Sequence, residues 1–339
     1  MSAPVHPSGK SSAAVEPARR VVIGILALQA RESCGAFAEH SSVLSQLGAD
    51  VREVRLPHEF EGLDGIVLPG GESTAMALIG ERWGVFPRLK QWVSEGRPVW
   101  GTCAGMILLS NHALLQKEGG QSLVGGLNVE ICRNYFGAQK SSFEVPLDTS
   151  SLDLGPDDKT SRKATSEPPY PAVFIRAPAV LEAGPGIDVL CKVRARPCNH
   201  AVAVMKAQLQ EPKHGAETEG SAAEGQGEAV ENDDDAPRAK RRRLAAFFVD
   251  ADSSAASAAA GGGCGSGSAK EAPEVIVAVR KGNIVGTAFH PELTNDSRWH
   301  EYFVRIVKEA VSAPGGRGGA AKTPAAETAP APAAGAAVA

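Results

Sequence analysis

The sequence predicts an α/β fold in which a mostly parallel sheet is flanked by helices. Three observations carry this expectation. Short, near-continuous apolar runs such as Val21–Leu28 read as strands buried on both faces, as in a parallel sheet. Segments of helical period alternate with those runs. Glycines close the helical segments, as at Gly48 and Gly96.

Taken in order, the first strand is followed by a helical pattern over Ala36–Leu47. Val51–Leu56 is the second strand and Gly65–Leu68 the third, which runs into Pro69-Gly70-Gly71-Glu72-Ser73. One helix starts near Thr74 and another covers Pro87–Glu95. The run Pro98-Val99-Trp100 then enters a glycine-flanked turn, Gly101-Thr102-Cys103-Ala104-Gly105, with an apolar helix behind it. Val124–Cys132 and Ala172–Ile175 are expected as strands of a second, partly antiparallel section. Val275–Val279 and Ile284–Phe289 form a hairpin around Lys281-Gly282-Asn283 by the same reading, and a last helix covers Ser297–Val311.

Composition narrows the function. Of 339 residues, roughly 200 are well patterned, enough for one domain with a sizeable core. The net charge of −4 gives no reason to expect nucleic acid as a partner. No apolar run approaches the ~20 residues of a membrane span, so no membrane association is expected. The six cysteines show no paired framework, and Cys191, Cys198 and His200 match no common zinc spacing. They read as reduced thiols of a cytoplasmic protein without a metal. The expected organisation is a disordered tail over 1–19, one domain over 20–312 and a second disordered tail over 313–339. Two low-complexity insertions are expected within the domain, near 147–171 and 207–273. The second holds an acidic run, Glu231–Asp235, and a basic run, Lys240–Arg243. The basic run reads as a solvated charge cluster, with nuclear import as the alternative.

The chemistry concentrates at strand ends, where open α/β sheets bind ligands. A cysteine at a sharp strand-to-helix turn is presented to substrate, and the helix dipole there favours a thiolate. His290 closes the last strand, and Pro291 keeps it extended. Glu292, two residues on, points the same way and is placed to orient an imidazole. Cys103, His290 and Glu292 thus suggest a Cys-His-Glu nucleophilic site. The N–H of Ala104, just after the nucleophile, and that of Gly71 are the candidate oxyanion donors. Singly, each signal has a plainer reading. Cys103 fits a tight turn with a packed thiol, His-Pro-Glu fits a strand end, and Gly-Gly-Glu-Ser fits a helix cap through Ser73 or Thr74.

The combined motifs resemble the glutaminase subunit of pyridoxal 5′-phosphate synthase, a class I glutamine amidotransferase. The matching segments are Ile23–Gln29, Leu68–Thr74, Trp100–Met106, Arg133–Gln139, Ser142–Glu144, Phe174–Pro178 and Ala288–Thr294. The resemblance implies a flavodoxin-like class I glutamine amidotransferase fold and hydrolysis of L-glutamine to L-glutamate and ammonia. Cys103 would form a glutamyl thioester, with His290 and Glu292 completing the triad. The family's glutamine-binding positions fall on Gly71, Glu72, Ser73, Arg133, Ile175 and Arg176. Ammonia would pass to a separate synthase subunit that makes pyridoxal 5′-phosphate (vitamin B6), and no cofactor is implied for the glutaminase itself. An amidotransferase of another pathway and an inert regulatory homologue are the alternatives. One departure falls near the site. Where the family reads Leu-Gln-Gly-Ala, Ala30–Cys34 separates Gln29 from Gly35-Ala36-Phe37.

Overall fold

A computed structural model describes residues 19–29, 36–114, 120–137, 142–152, 168–210 and 272–313. The Ala30–Cys34 segment, the charge runs 231–235 and 240–243 and nearly all of both tails lie outside these residues.

Its centre is a ten-stranded sheet. Five parallel strands form one half, in the order β2 (Asp50–Val54), β1 (Val22–Leu26), β3 (Gly65–Leu68), β4 (Val99–Thr102), β12 (Ile284–Thr287). Strands β1, β3, β4 and β12 are buried at every position. Both faces are covered, which is why these strands read as unbroken apolar runs rather than alternating ones. The start of this order, 2-1-3-4, is that of flavodoxin-like sheets.

The other half is mainly antiparallel. β11 (Glu274–Lys281) makes a hairpin with β12, pairing Lys281 with Ile284 across Gly282 and Asn283. The sheet then continues through β9 (Ala179–Ala183) and β6 (Leu127–Cys132) to β5 (Ser110–Leu114), and β10 (Asp188–Arg194) also pairs with β11. A separate ribbon joins β7 (Phe143–Leu147) to β8 (Tyr170–Phe174).

Helices pack on this frame by their apolar stripes. α1 (Phe37–Gln46) buries Phe37, His40 and Leu44, a spacing of three and four that lines one helix face. α2 (Ser73–Arg82) and α3 (Val85–Ser94) separate β3 from β4. The six-residue α4 (Ala104–Leu109) is wholly buried. α5 (Asn199–Gln210) follows β10, and α6 (Arg298–Ser312) closes the described chain. α6 buries Trp299, His300, Phe303, Ile306 and Val307. Among the described residues, no helix is long and apolar enough to cross a membrane.

Several details differ from the sequence reading. β5, β7, β9, β10 and α5 were not expected. The expected section containing both Val124–Cys132 and Ala172–Ile175 is divided, because β6 lies in the large sheet and β8 in the ribbon. Both ends of the 147–171 stretch are structured. Leu147 ends β7, Tyr170 and Pro171 begin β8, and Leu147 and Tyr170 are 1% and 0% exposed. The cause is Pro146 opposite Pro171. Proline cannot donate to a ladder, so a run containing it reads poorly as a strand, yet a two-stranded ribbon has only edges and tolerates it. The 207–273 stretch likewise begins inside α5, and its residues 211–271 lie outside those described. At the amino end, Arg19, which the sequence reading placed in the tail, pairs with Asp64 at 3.0 Å.

Candidate active site

The carboxyl ends of β3, β4 and β12 meet at one cavity of about 360 Å³. Every residue expected to act as nucleophile, base, orienting acid, oxyanion donor or glutamine contact lines it. Cys103 and Ala104 enter from the β4–α4 turn, Gly71, Glu72 and Ser73 from the β3–α2 loop, and His290 and Glu292 from beyond β12. Arg133 follows β6, and Ile175 and Arg176 follow β8.

Cys103 sits at φ +46°, ψ −102°, outside the regions comfortable for an L-residue. Its neighbours impose this. Its N–H donates to the Thr287 carbonyl at 2.8 Å, continuing the β4–β12 ladder, while its own carbonyl accepts from Ile107 N at 3.2 Å inside α4. One residue therefore ends a strand and caps a helix at once. The turn is tight enough that a Cβ at Gly105 would lie 1.9 Å from the Leu68 carbonyl oxygen, so only glycine fits there. The non-glycine residues at positive φ among those described are Cys103, Asn134 and Arg176, and all three line the cavity. Strain gathered at one cavity is characteristic of a working site.

The Cys103 thiol donates to the Ile175 carbonyl at 3.9 Å, and the His290 backbone N–H donates to the Val173 carbonyl at 2.8 Å. The ribbon thus closes the site over the Cys103 turn. His290 Nδ1 lies 2.7 Å from Glu292 Oε1. The Glu292 side chain is fully buried and that of His290 nearly so. Burial alone would lower the His290 pKa, but the facing Cys103 thiolate and Glu292 outweigh it and raise it to about 11. His290 is therefore imidazolium when Cys103 is a thiolate. The ring also packs on Gly70 by its Cε1, where a Cβ would come within 2.5 Å of it.

At the other side of the cavity Glu72 caps α2, its Oε2 accepting from Ala75 N at 2.8 Å. The cap is thus Glu72, not Ser73 or Thr74, whose hydroxyls instead donate to Gln121 Oε1 at 3.2 and 3.1 Å. Arg133 Nη2 lies 3.4 Å from Glu72 Oε1 and 3.4 Å from Thr74 Oγ1. Burial pulls the Arg133 pKa down while Glu72 pulls it up. The Gln29 carboxamide bridges the same loop, accepting from Glu72 N at 3.1 Å and reaching the Glu72 carbonyl at 3.5 Å. The arrangement places a polarised thiol–imidazole pair at one end of the cavity and a carboxylate–guanidinium pair at the other. Among the described residues, no group of three or more His, Cys, Asp or Glu side chains is placed to hold a metal ion.

The sequence reading missed Gly70, Asn134 and two buried histidines behind the site, His40 and His300. Their signal was present, since each histidine lies on the apolar stripe of its helix.

Known proteins resemble this chain over most of its length. The chain is 36% identical to a probable pyridoxal 5′-phosphate synthase subunit PDX2 of Arabidopsis thaliana, covering 85% of this chain and 87% of that protein. It is 33% identical to a probable pdx2 subunit of Dictyostelium discoideum, over 85% of this chain and 92% of that one. It is 32% identical to a PdxT subunit of Pseudarthrobacter chlorophenolicus, over 84% and 92%. A crystal structure of a glutamine amidotransferase superposes with a TM-score of 0.51 at 26% identity, covering 84% of this chain and 98% of that one. The SNO glutamine amidotransferase family model matches residues 25–211 and 264–309. With strand order, strained cysteine turn and relatives in agreement, the chain belongs to the SNO glutamine amidotransferase family.

Proposed function

We propose that this protein is the glutaminase subunit of a pyridoxal 5′-phosphate synthase, releasing ammonia from L-glutamine for a separate synthase subunit. The observation that carries the reading is the Cys103 turn facing His290, whose Nδ1 is held 2.7 Å from the buried Glu292. The printed names of the relatives from plant, slime mould and bacterium support the pathway and the partner.

The Cys103 thiolate attacks the side-chain carbonyl carbon of glutamine. The N–H groups of Ala104 and Gly71 hold the developing oxyanion. Ala104 opens α4, and first-turn N–H groups have no intrahelical partner. His290 donates its Nε2 proton to the amide nitrogen, the C–N bond breaks, and ammonia leaves a glutamyl thioester. The now neutral His290 takes a proton from water. The resulting hydroxide attacks the thioester, the C–S bond breaks, and glutamate leaves with the thiolate restored. Glu292 keeps the Nδ1 proton in place through both halves. Glu72, Arg133 and Arg176 carry the charges that match the α-ammonium and α-carboxylate of glutamine, while Ser73 and Ile175 shape the wall between them.

The test is glutamate release with the synthase subunit present, for wild type and Cys103→Ala. Release by wild type and none by the variant is expected; equal release from both would refute the reading.

A further inference from the structure

Behind Glu292 the structure holds a second histidine pair. His40, from α1, is fully buried, and its Nε2 lies 3.3 Å from Glu292 Oε2. That contact is close enough for an ion pair, but its angle falls short of a hydrogen bond. Among the described residues Glu292 Oε2 has no hydrogen-bond donor. An ionised carboxylate oxygen left so in a dry interior is costly. Its nearest donor is therefore the group that decides where the carboxylate rests.

The remaining contacts orient the His40 ring. Nε2 also lies 3.4 Å from Thr102 Oγ1, and Nδ1 lies 2.9 Å from Nε2 of His300, on α6. Trp100 wedges edge-on against both rings, with centroids 5.4 Å from His40 and 5.0 Å from His300. A neutral imidazole carries one N–H. Placed on Nδ1, it would leave the Nε2 lone pair facing a carboxylate oxygen. Placed on Nε2, it faces the anion, and Nδ1 accepts from the His300 Nε2–H. Burial, with the His300 and His290 charges beside it, keeps the His40 pKa well below 6.5, so the ring stays neutral. The His300 pKa is lowered to about 3 by burial.

We propose that His40 is a positioning residue of the glutaminase: its Nε2–H, 3.3 Å from Glu292 Oε2, holds that oxygen by charge–dipole attraction, so that Oε1 stays on His290 Nδ1. The inference rests on the triad reading above. The N–H groups of His300 Nε2, His40 Nε2 and His290 Nδ1 are then directed along one chain toward the Glu292 carboxylate, and rotation of Glu292 away from His290 would strand a buried charge. The carboxylate is thereby tied to three elements, α1, β4 and α6, not only to its own short turn.

Two polar variants separate this role from packing. In His40→Gln the side-chain amide reaches the Nε2 position and keeps a donor for Glu292. In His40→Asn the amide stays near the Nδ1 position, facing His300, and does not reach Glu292. The first readout is kcat and KM for glutamine in the complex with the synthase subunit. The second is the pH profile of Cys103 alkylation by iodoacetamide, followed on the Cys103 peptide by mass spectrometry, which needs no glutamine turnover. His40→Asn should lower kcat by about tenfold, the scale of one buried polar contact, with KM within about twofold. Its alkylation midpoint should move to higher pH, because a loosened Glu292 supports the thiolate–imidazolium pair less well. His40→Gln should stay within about threefold of wild type in kcat, with an unmoved midpoint. Wild-type behaviour of His40→Asn in both readouts, or equal loss in both variants, would overturn the proposal. Failure of wild type itself to release glutamate would sink the triad reading instead, and the alkylation profiles would still decide the role of His40.

Discussion

The residue proposed as the nucleophile is also a strained one. Cys103 holds φ +46° because it closes a ladder on β12 and opens α4 in the same peptide. Such a conformation costs roughly 1–3 kcal/mol, borne by the buried strands on either side. Its partner depends on a neighbour with no side chain at all. Gly70 leaves room for the His290 ring, and Gly70→Ala would put a Cβ 2.5 Å from His290 Cε1 and 3.1 Å from Nδ1. The Gly70 backbone itself is ordinary, so the substitution should leave the melting temperature nearly unchanged. It should lower kcat by on the order of 10²-fold, since proton transfer depends on ring placement. Near-wild-type turnover would show that the ring has room to give.

At the scale of elements, the parallel half was legible because the code there is simple. β1, β3 and β4 are short apolar runs ending in the loops that build the site. The Cys103 turn, the Gly70-Gly71 loop and His-Pro-Glu each announce themselves locally. Of the ribbon only β8 was legible, as Ala172–Ile175; β7 was not, because Pro146 opposite Pro171 contradicts strand rules that hold only for paired interiors. Yet the ribbon delivers Ile175 and Arg176, and stacks Phe143 on Phe174 with centroids 5.0 Å apart. The histidine pair was hidden for another reason: His40 and His300 are 260 residues apart in sequence, and nothing local joins α1 to α6. Their burial has a measurable consequence. The His300 pKa is lowered by burial to about 3 from 6.5. The unfolded chain therefore takes up a proton that the fold refuses, and stability present above pH 6.5 is lost as pH falls toward 3. His300→Phe should reduce the slope of stability against pH in that window by about one proton, read as urea midpoints at pH 7 and pH 5. An unchanged slope would exclude His300 as a source of acid sensitivity.

For the whole molecule, the question is how 211–271 relates to the domain around it. The flanking residues suggest independence. α5 ends at Gln210. At the other end of the segment, the Pro273 carbonyl accepts from Ala195 N at 3.1 Å and that of Ala272 from Arg194 Nη1 at 3.5 Å, beside the end of β10. That point lies four residues before α5 begins. The span to bridge is therefore roughly one length of a 12-residue helix, about 18 Å at ~1.5 Å per residue. A flexible linker of about ten residues covers it, since an extended chain spans ~3.3 Å per residue. Replacing 211–271 with such a linker should leave glutamate release with the synthase subunit close to wild type. Loss of folding or of release would place that segment within the working domain.

The central claim is that Cys103 carries the glutamyl group. The direct measurement is acid-quenched peptide mass spectrometry of the protein turning over glutamine with the synthase subunit. The account predicts a glutamyl thioester on the Cys103 peptide, absent when glutamine is withheld. Sustained glutamate release with Cys103 never modified, and with Cys103→Ala equally active, would contradict it.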